Sequence, residues 1–305
     1  QKLWSGYGEI VRYQLRGSAL KSVVVKQIAL PQELAHPRGW HTDTGHRRKL
    51  RSYEVECNWY RDYAAQCGDR SKVARCYGVL GEGMDCALVL QDLDAVGFDQ
   101  RLQHASPDAL LSSIAWLACF HAQWLEKPPQ GLWQRGSYWH LKTRSDELAA
   151  MADGPLKIHA QSLDNVLANA SFQTLIHGDA KIANFCYTRD HTDLAAVDFQ
   201  YVGRGVGVCD LAYFLGSCLD GSGLHSQAEV LLDYYFEQLA AQVQHSGVLN
   251  SEQLQQLLTQ WRALYPVAWA DFERFLQGWS PGHAKLNSYS KQMTEQALKS
   301  VARVQ

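Results

Sequence analysis

Residues 175–199, LIHGDAKIANFCYTRDHTDLAAVDF, constrain this chain more than any other stretch. His177, Asp179 and Asn184 stand in the spacing HxDxxxxN, and Asp198 follows fourteen residues after Asn184 inside the triplet Val197-Asp198-Phe199. A three-point pattern of this kind arises by chance on the order of 0.01 to 0.02 times in such a chain, so its members are read as one unit. Asp179 offers a carboxylate that can orient a hydroxyl and take its proton, while Asn184 and Asp198 offer the hard oxygen ligands that Mg²⁺ prefers. Turn capping by Asp179 or Asn184, or a strand ending at Asp198, would explain one residue each and leave the spacing unexplained.

With 305 residues, 46% of them hydrophobic, the chain can bury more than one layer of core, as one large domain or two intimate lobes. The balance of 29 Lys+Arg against 31 Asp+Glu gives a net charge of −2 and no general positive field, which speaks against nucleic acid or anionic lipid as the main partner. Mean hydropathy is −0.29 and charges interrupt the apolar stretches, so no run approaches the roughly 20 residues of a membrane helix and a soluble protein is expected. The eight cysteines form no CxxC pair, and most sit among apolar neighbours as small core residues of a reducing compartment would. The first residues, QKLWSGYGEI, carry no apolar signal segment, and a cytoplasmic location is expected.

Residues 9–15 and 22–28 are β-branched runs around Arg16-Gly17-Ser18, the pattern of a hairpin. A loop rich in Pro, Gly and His precedes a helix over 47–66, and KVARCYGVL and DCALVLQDL read as two further strands. Beyond Leu93 the pattern turns helical. Ser106-Pro107-Asp108 predicts the start of a helix stopped by Pro128-Pro129, and further helices are expected over 207–219, 225–244 and 251–278. The joint falls around 91–97, giving domains over 1–93 and 94–305.

The HGDAK and VDF segments together resemble the phosphotransferase core of the superfamily that contains aminoglycoside phosphotransferases and choline kinases, and most closely its ecdysteroid kinase-like group. HPRGW followed by HRRKLRSYEVE, and DFERFLQGWSPGH later, resemble the same group and extend the likeness over nearly the whole chain. The resemblance implies an α+β, two-lobed, protein-kinase-like fold with a small antiparallel-sheet lobe and a larger, mostly helical one. It further implies ATP- and Mg²⁺-dependent phosphorylation of a small-molecule hydroxyl.

Carried over residue by residue, it assigns catalysis to Asp179, Lys181 and His177, with Lys181 facing the transferring phosphate, and metal binding to Asn184 and Asp198. Lys26, at the end of VVVK, matches the strand lysine that meets the α- and β-phosphates and a helix glutamate. Glu56 is that glutamate rather than Glu54, because Tyr53, Glu56 and Trp59-Tyr60 fit the group's register and residues two apart cannot share a helix face. Gly6 and Gly8 are expected to cradle phosphates, and Gln91 and Leu93 to meet adenine through the backbone, with Gln91 replacing the group's usual Glu. Asp210, twelve residues past Asp198, is expected to brace the catalytic loop. That short interval leaves no room for a regulated activation segment, which speaks against a protein acceptor.

His36, His41 and His46 show no zinc-ligand spacing, and Arg47-Arg48-Lys49 read as a solvated face. Trp133, Tyr138, Trp139, Trp261, Tyr265, Trp269, Phe272, Phe275 and Trp279 form the core of the helical part, with a remainder free to line a pocket. Acidic residues near them are sparse, so the expected acceptor is a largely apolar, sterol-like alcohol, with a choline- or aminoglycoside-type acceptor or a non-catalytic nucleotide-binding module as alternatives. The oligomeric state is not legible.

Overall fold

The computed structural model describes residues 2, 7–29, 43–82 and 85–302. Gly6, His36 and His41 lie outside the described residues.

The β-branched runs pair as a hairpin of β1 (Gly8–Gln14) and β2 (Ser22–Ile28). After α1 (Asp43–Asp62) come β3 (Cys76–Glu82) and β4 (Asp85–Gln91), and the four strands form an antiparallel sheet in the order β1-β2-β4-β3. β3 starts four residues later than the sequence pattern suggests, because Val73 bridges Ala196 of the other lobe instead of joining the sheet. Helix α1 lays Tyr53, Cys57 and Tyr60 against the sheet residues Ile28, Leu88 and Leu90, all buried. The sulfurs of Cys57 and Cys86 stand in disulfide contact, a pairing that the reading of most cysteines as small core residues does not foresee. A pairing across 29 residues depends on how α1 lies on β4, which spacing in the chain does not encode.

The helical part begins with α2 (Pro107–Gln123), where the Ser106 side chain accepts the Ala109 N–H and Pro107 occupies the first helical position. Its buried Ile114, Leu117 and Phe120 each contribute roughly 1.5–3 kcal/mol by leaving water. Next come the short helices α3 (Ser145–Ala150), α4 (Pro155–Ile158) and α5 (Ala160–Ala168). Four three-residue strands follow: β5 (Thr174–Ile176), β6 (Phe185–Tyr187), β7 (Leu194–Ala196) and β8 (Gly203–Gly205). β5 pairs with β8 and β6 with β7, so the two ribbons frame the loops that carry Asp179 and Asp198.

Helices α6 (Val208–Cys218), α7 (Gly221–Ser246), α8 (Ser251–Trp279) and α9 (Ser288–Ala302) pack behind them. Asn250 and Gln253 close a capping box at the start of α8. The result is the expected two-lobed, kinase-like α+β architecture. Among the described residues no helix is long and apolar enough to cross a membrane.

Candidate active site

Strand β2 and helix α1 bring Lys26 and Glu56 together. The Lys26 ammonium lies 2.6 and 2.9 Å from the two Glu56 oxygens, with both side chains nearly inaccessible. Glu54 instead points outward to Arg51, as helical geometry requires of a residue two positions away. Burial by itself would push the Lys26 ammonium toward neutrality, but the Glu56 and Asp198 carboxylates outweigh it and hold the amine above its ordinary range.

Asp198 arrives from the other lobe. Its oxygen lies 3.5 Å from Lys26 Nζ, and it occupies the left-handed region at φ 68°, a conformation that a non-glycine residue adopts at a cost of about 1–3 kcal/mol. The turn leaves the side chain 36% exposed, so a ligand in the cleft can reach it. Burial opposes its charge, yet Lys26, Lys49 and Lys181 together keep the carboxyl below its usual range.

Asp179 sits on the loop between β5 and β6. Tyr213 donates to its Oδ1 at 3.0 Å, Lys181 to its Oδ2 at 2.9 Å, and Asn184 Nδ2 to both its backbone and side-chain oxygens at 2.8 and 3.0 Å. With its amide nitrogen so engaged, Asn184 presents the amide oxygen, and Val197 N–H donates to the Asn184 carbonyl, joining the two loops. Gly178 is required here: at φ 79° an added Cβ would stand 2.2 Å from the Tyr201 carbonyl oxygen.

The expectation that His177 acts on the reacting atoms needs correction. It is fully buried, its Nε2 donates to the Val197 carbonyl, and its Nδ1 accepts from the Asp179 N–H, so both ring nitrogens are committed to holding the loop. Asp210 braces the same loop by accepting the N–H groups of His177 at 2.6 Å and Gly178 at 2.9 Å.

Lys49 was missed by the reading of Arg47-Arg48-Lys49 as solvated. Arg47 is exposed, but Lys49 turns inward, donates to Gln200 at 2.8 Å and stands 4.5 Å from the Tyr53 ring centre. Burial pulls its amine down to about 8, against the attraction of Asp198. Arg48 reaches across to the Thr143 carbonyl. The available signal was three successive cations: on a helix packed by one face they cannot all point to water.

The two other nucleotide-side expectations fare differently. Gly8 is demanded by the hairpin, since an added Cβ would stand 2.0 Å from the Gln27 carbonyl oxygen. At the joint, the Gln91 N–H donates to the Arg75 carbonyl and the Leu93 carbonyl accepts from Val96 and Phe98, so an adenine edge would have to use other groups of this segment. A groove of about 870 Å³ touches Gln91 and Leu93 from the side of Tyr60, Lys72 and Phe98, and contains none of Lys26, Asp179, Asn184 or Asp198.

Beside Tyr213, whose hydroxyl meets Asp179, the half-buried Tyr138, Tyr201 and Trp279 and the buried Phe272 and Phe275 join in a chain of ring contacts. Tyr138 contacts the rings of Tyr201, Tyr213 and Phe275 at centroid distances of 5.4–5.9 Å, making one aromatic wall. Trp139, Trp261, Tyr265 and Trp269 are core.

Among solved structures, the chain is similar to the amicoumacin kinase hAmiN in complex with AMP-PNP, Ca²⁺ and Ami, at 13% identity, with 100% of this chain and 88% of that one covered and a TM-score of 0.47. It is also similar to the choline kinase LicA from Streptococcus pneumoniae (14% identity, 97% and 94% covered, TM-score 0.46). A third similar structure is an aminoglycoside-3'-phosphotransferase of type VIII (20% identity, 86% and 91% covered, TM-score 0.44). No curated protein matches. A family model matches residues 137–248, a span that holds Asp179, Asn184, Asp198 and Asp210 but not Lys26 or Glu56. Over those residues the chain is similar to the ecdysteroid kinase-like family, the group its motifs resemble.

Proposed function

We propose that this chain is a phosphotransferase that moves the terminal phosphoryl group of ATP, with Mg²⁺, to a hydroxyl of a small molecule. The observation that carries the reading is the convergence of Lys26–Glu56, Asp198 and Asp179–Asn184, with Asp198 3.5 Å from Lys26 and Val197 N–H bonded to the Asn184 carbonyl, from segments up to 172 residues apart. Phosphoryl transfer asks a protein for alignment and charge neutralisation more than for covalent chemistry, and this set is suited to both.

Asp179 orients the acceptor hydroxyl and takes its proton. Tyr213 and Asn184 fix the carboxylate for that task. Lys26, held protonated by Glu56, meets the α- and β-phosphates, and Lys181, 37% exposed beside Asp179, is placed to offset charge on the transferring group. The Asn184 amide oxygen and the accessible Asp198 carboxylate suit a hard divalent cation and would hold Mg²⁺. When bound, that ion would neutralise phosphate charge.

The aromatic wall supports a largely apolar, sterol-like alcohol as acceptor. Two of the carboxylates near it are paired, Asp271 with Arg274 and Glu147 with Arg144, while the buried Glu273 accepts only from Gln277 among the described residues. A non-catalytic nucleotide-binding module would not need the Asp179 arrangement. The test is a coupled assay of ATP consumption over sterols, choline, sugars and aminoglycosides. Acceptor-dependent turnover that disappears in Asp179→Asn is expected, and its absence with every alcohol would refute the reading.

A further inference from the structure

Among the described residues, the buried and half-buried cations of the helical lobe are paired, with one half-buried exception beside the acceptor wall. Arg144 meets Glu147, Arg274 meets Asp271 and Arg135 meets Asp164, each within 3.0 Å. Lys285, on the segment between α8 and α9, has no carboxylate partner among the described residues. Its ammonium stands 4.6 Å from the ring centre of Tyr213 and 5.5 Å from that of Phe272. Tyr213 is the residue whose hydroxyl donates to Asp179, so one ring separates Lys285 from the carboxylate that would receive the acceptor hydroxyl.

Removing an ammonium from water without a counter-ion is costly, and aromatic faces repay only part of that cost. Burial pulls the Lys285 amine down to about 8; Asp179 attracts its charge and Lys181 repels it. Asp179 attracts it but is shared, because Lys181 pairs with the same carboxylate at 2.9 Å, so one negative charge faces two ammonium groups. Arg48, bonded to the Thr143 carbonyl, likewise makes no ion pair among the described residues, although Glu147 and Asp146 attract its charge. Among the described residues Lys285 therefore stands over the aromatic surface without an ion pair of its own, and Lys181 adds a second ammonium beside Asp179. A quaternary ammonium or polycationic acceptor would be repelled from such a surface.

We infer that the acceptor carries an anionic group, a carboxylate, sulfate or phosphate, and that Lys285 receives it while Asp179 receives the hydroxyl of the same molecule. The acceptor is then an apolar or aromatic alcohol with one anionic substituent a short spacer away from the reacting hydroxyl. This rests on the phosphotransferase reading for the role of Asp179, but not for the anion site itself.

The experiment uses hydroxyl compounds on steroid, aromatic and short aliphatic frames, each as carboxylate, neutral amide and trimethylammonium. They are titrated calorimetrically into the full chain with AMP-PNP and Mg²⁺, and phosphoryl transfer from ATP is measured alongside. On the frame bound best, the carboxylate should bind at least about tenfold more tightly than the amide, with the ammonium weakest. Lys285→Met should level carboxylate and amide with no change in KM for ATP, and Lys285→Arg should keep the preference. Tightest binding of the amide or ammonium, an unchanged preference in Lys285→Met, an effect confined to KM for ATP, or no binding by any member would overturn the inference. Lys285-dependent carboxylate binding with no phosphoryl transfer to any frame would instead refute the phosphotransferase reading and leave the anion site standing.

Discussion

Trp59 of α1 stacks face to face on Phe199, the residue after Asp198, with ring centroids 4.4 Å apart and planes inclined by 13°. Both side chains are fully buried, and Phe199 also lies 4.6 Å from the His177 ring. The helix that carries Glu56 is therefore keyed to the loops that carry Asp179 and Asp198 through one phenyl ring.

Phe199→Ala should cost about 3–5 kcal/mol of stability by leaving a cavity in this stack, and Phe199→Leu clearly less. Because the ring also sets where α1 sits, the alanine variant should raise KM for ATP in the folded fraction. Denaturant midpoints together with KM at a temperature where both variants are folded check this; an alanine variant that loses stability with KM unchanged would show that the stack does not position Glu56.

Asp210 has two carboxylate oxygens and two backbone N–H donors to serve, with His121 Nε2 at 3.3 Å from one of them. Asp210→Asn replaces one acceptor by an amide donor facing an N–H, and should destabilise by about 2–4 kcal/mol while slowing turnover. Urea unfolding measures the first, through a lower midpoint at constant slope. An asparagine variant as stable and as active as the parent would remove Asp210 from its bracing role.

Asp179 and Asp198 should separate cleanly under mutation. Asp179→Asn is expected to lower kcat by 10² to 10⁴ and leave nucleotide affinity intact, because the hydroxyl loses its base while Asn184 and Asp198 survive. Asp198→Asn is expected to weaken binding of the Mg²⁺ nucleotide complex, read by calorimetry. Retention of more than about a tenth of kcat in the first variant, or unchanged affinity in the second, would contradict the assignments.

His140 is buried, and burial together with Arg135, Arg144, Arg274 and Arg48 pulls its imidazole down to about 3. The unfolded chain takes up a proton near the ordinary value of 6.5 and the folded chain does not. Stability is therefore fully present above that value and is lost as pH falls from about 6.5 toward 3. His140→Phe should flatten this part of the profile, removing on the order of 3–5 kcal/mol of acid sensitivity across the window. Parallel slopes for parent and variant between those pH values would rule it out.

The sequence by itself determined the four strands of the first sheet and helices α1, α2, α6, α7 and α8, and it named most of the residues proposed for the site; the short helices α3–α5, the three-residue strands β5–β8 and α9 were not legible in it. The hairpin needs its β-branched runs, Ser106 and Asn250 cap their helices through local hydrogen bonds, and the HxDxxxxN spacing holds Asp179 and Asn184 on one tight loop, all within a few residues of chain. Helical rotation requires Glu54 and Glu56 to point apart, and the choice of Glu56 came from the register of Tyr53 and Trp59-Tyr60 in the resembling group. What only the tertiary structure decided are relations between segments far apart in the chain. The contact of Cys57 with Cys86 depends on how α1 crosses the sheet, and the inward turn of Lys49 depends on Gln200 being opposite it. The isolation of Lys285 over Tyr213 depends on where the segment after α8 lies against α6. Periodicity says which face of an element is buried; the partner that face meets follows from packing, and at this site packing sets the charge an acceptor encounters.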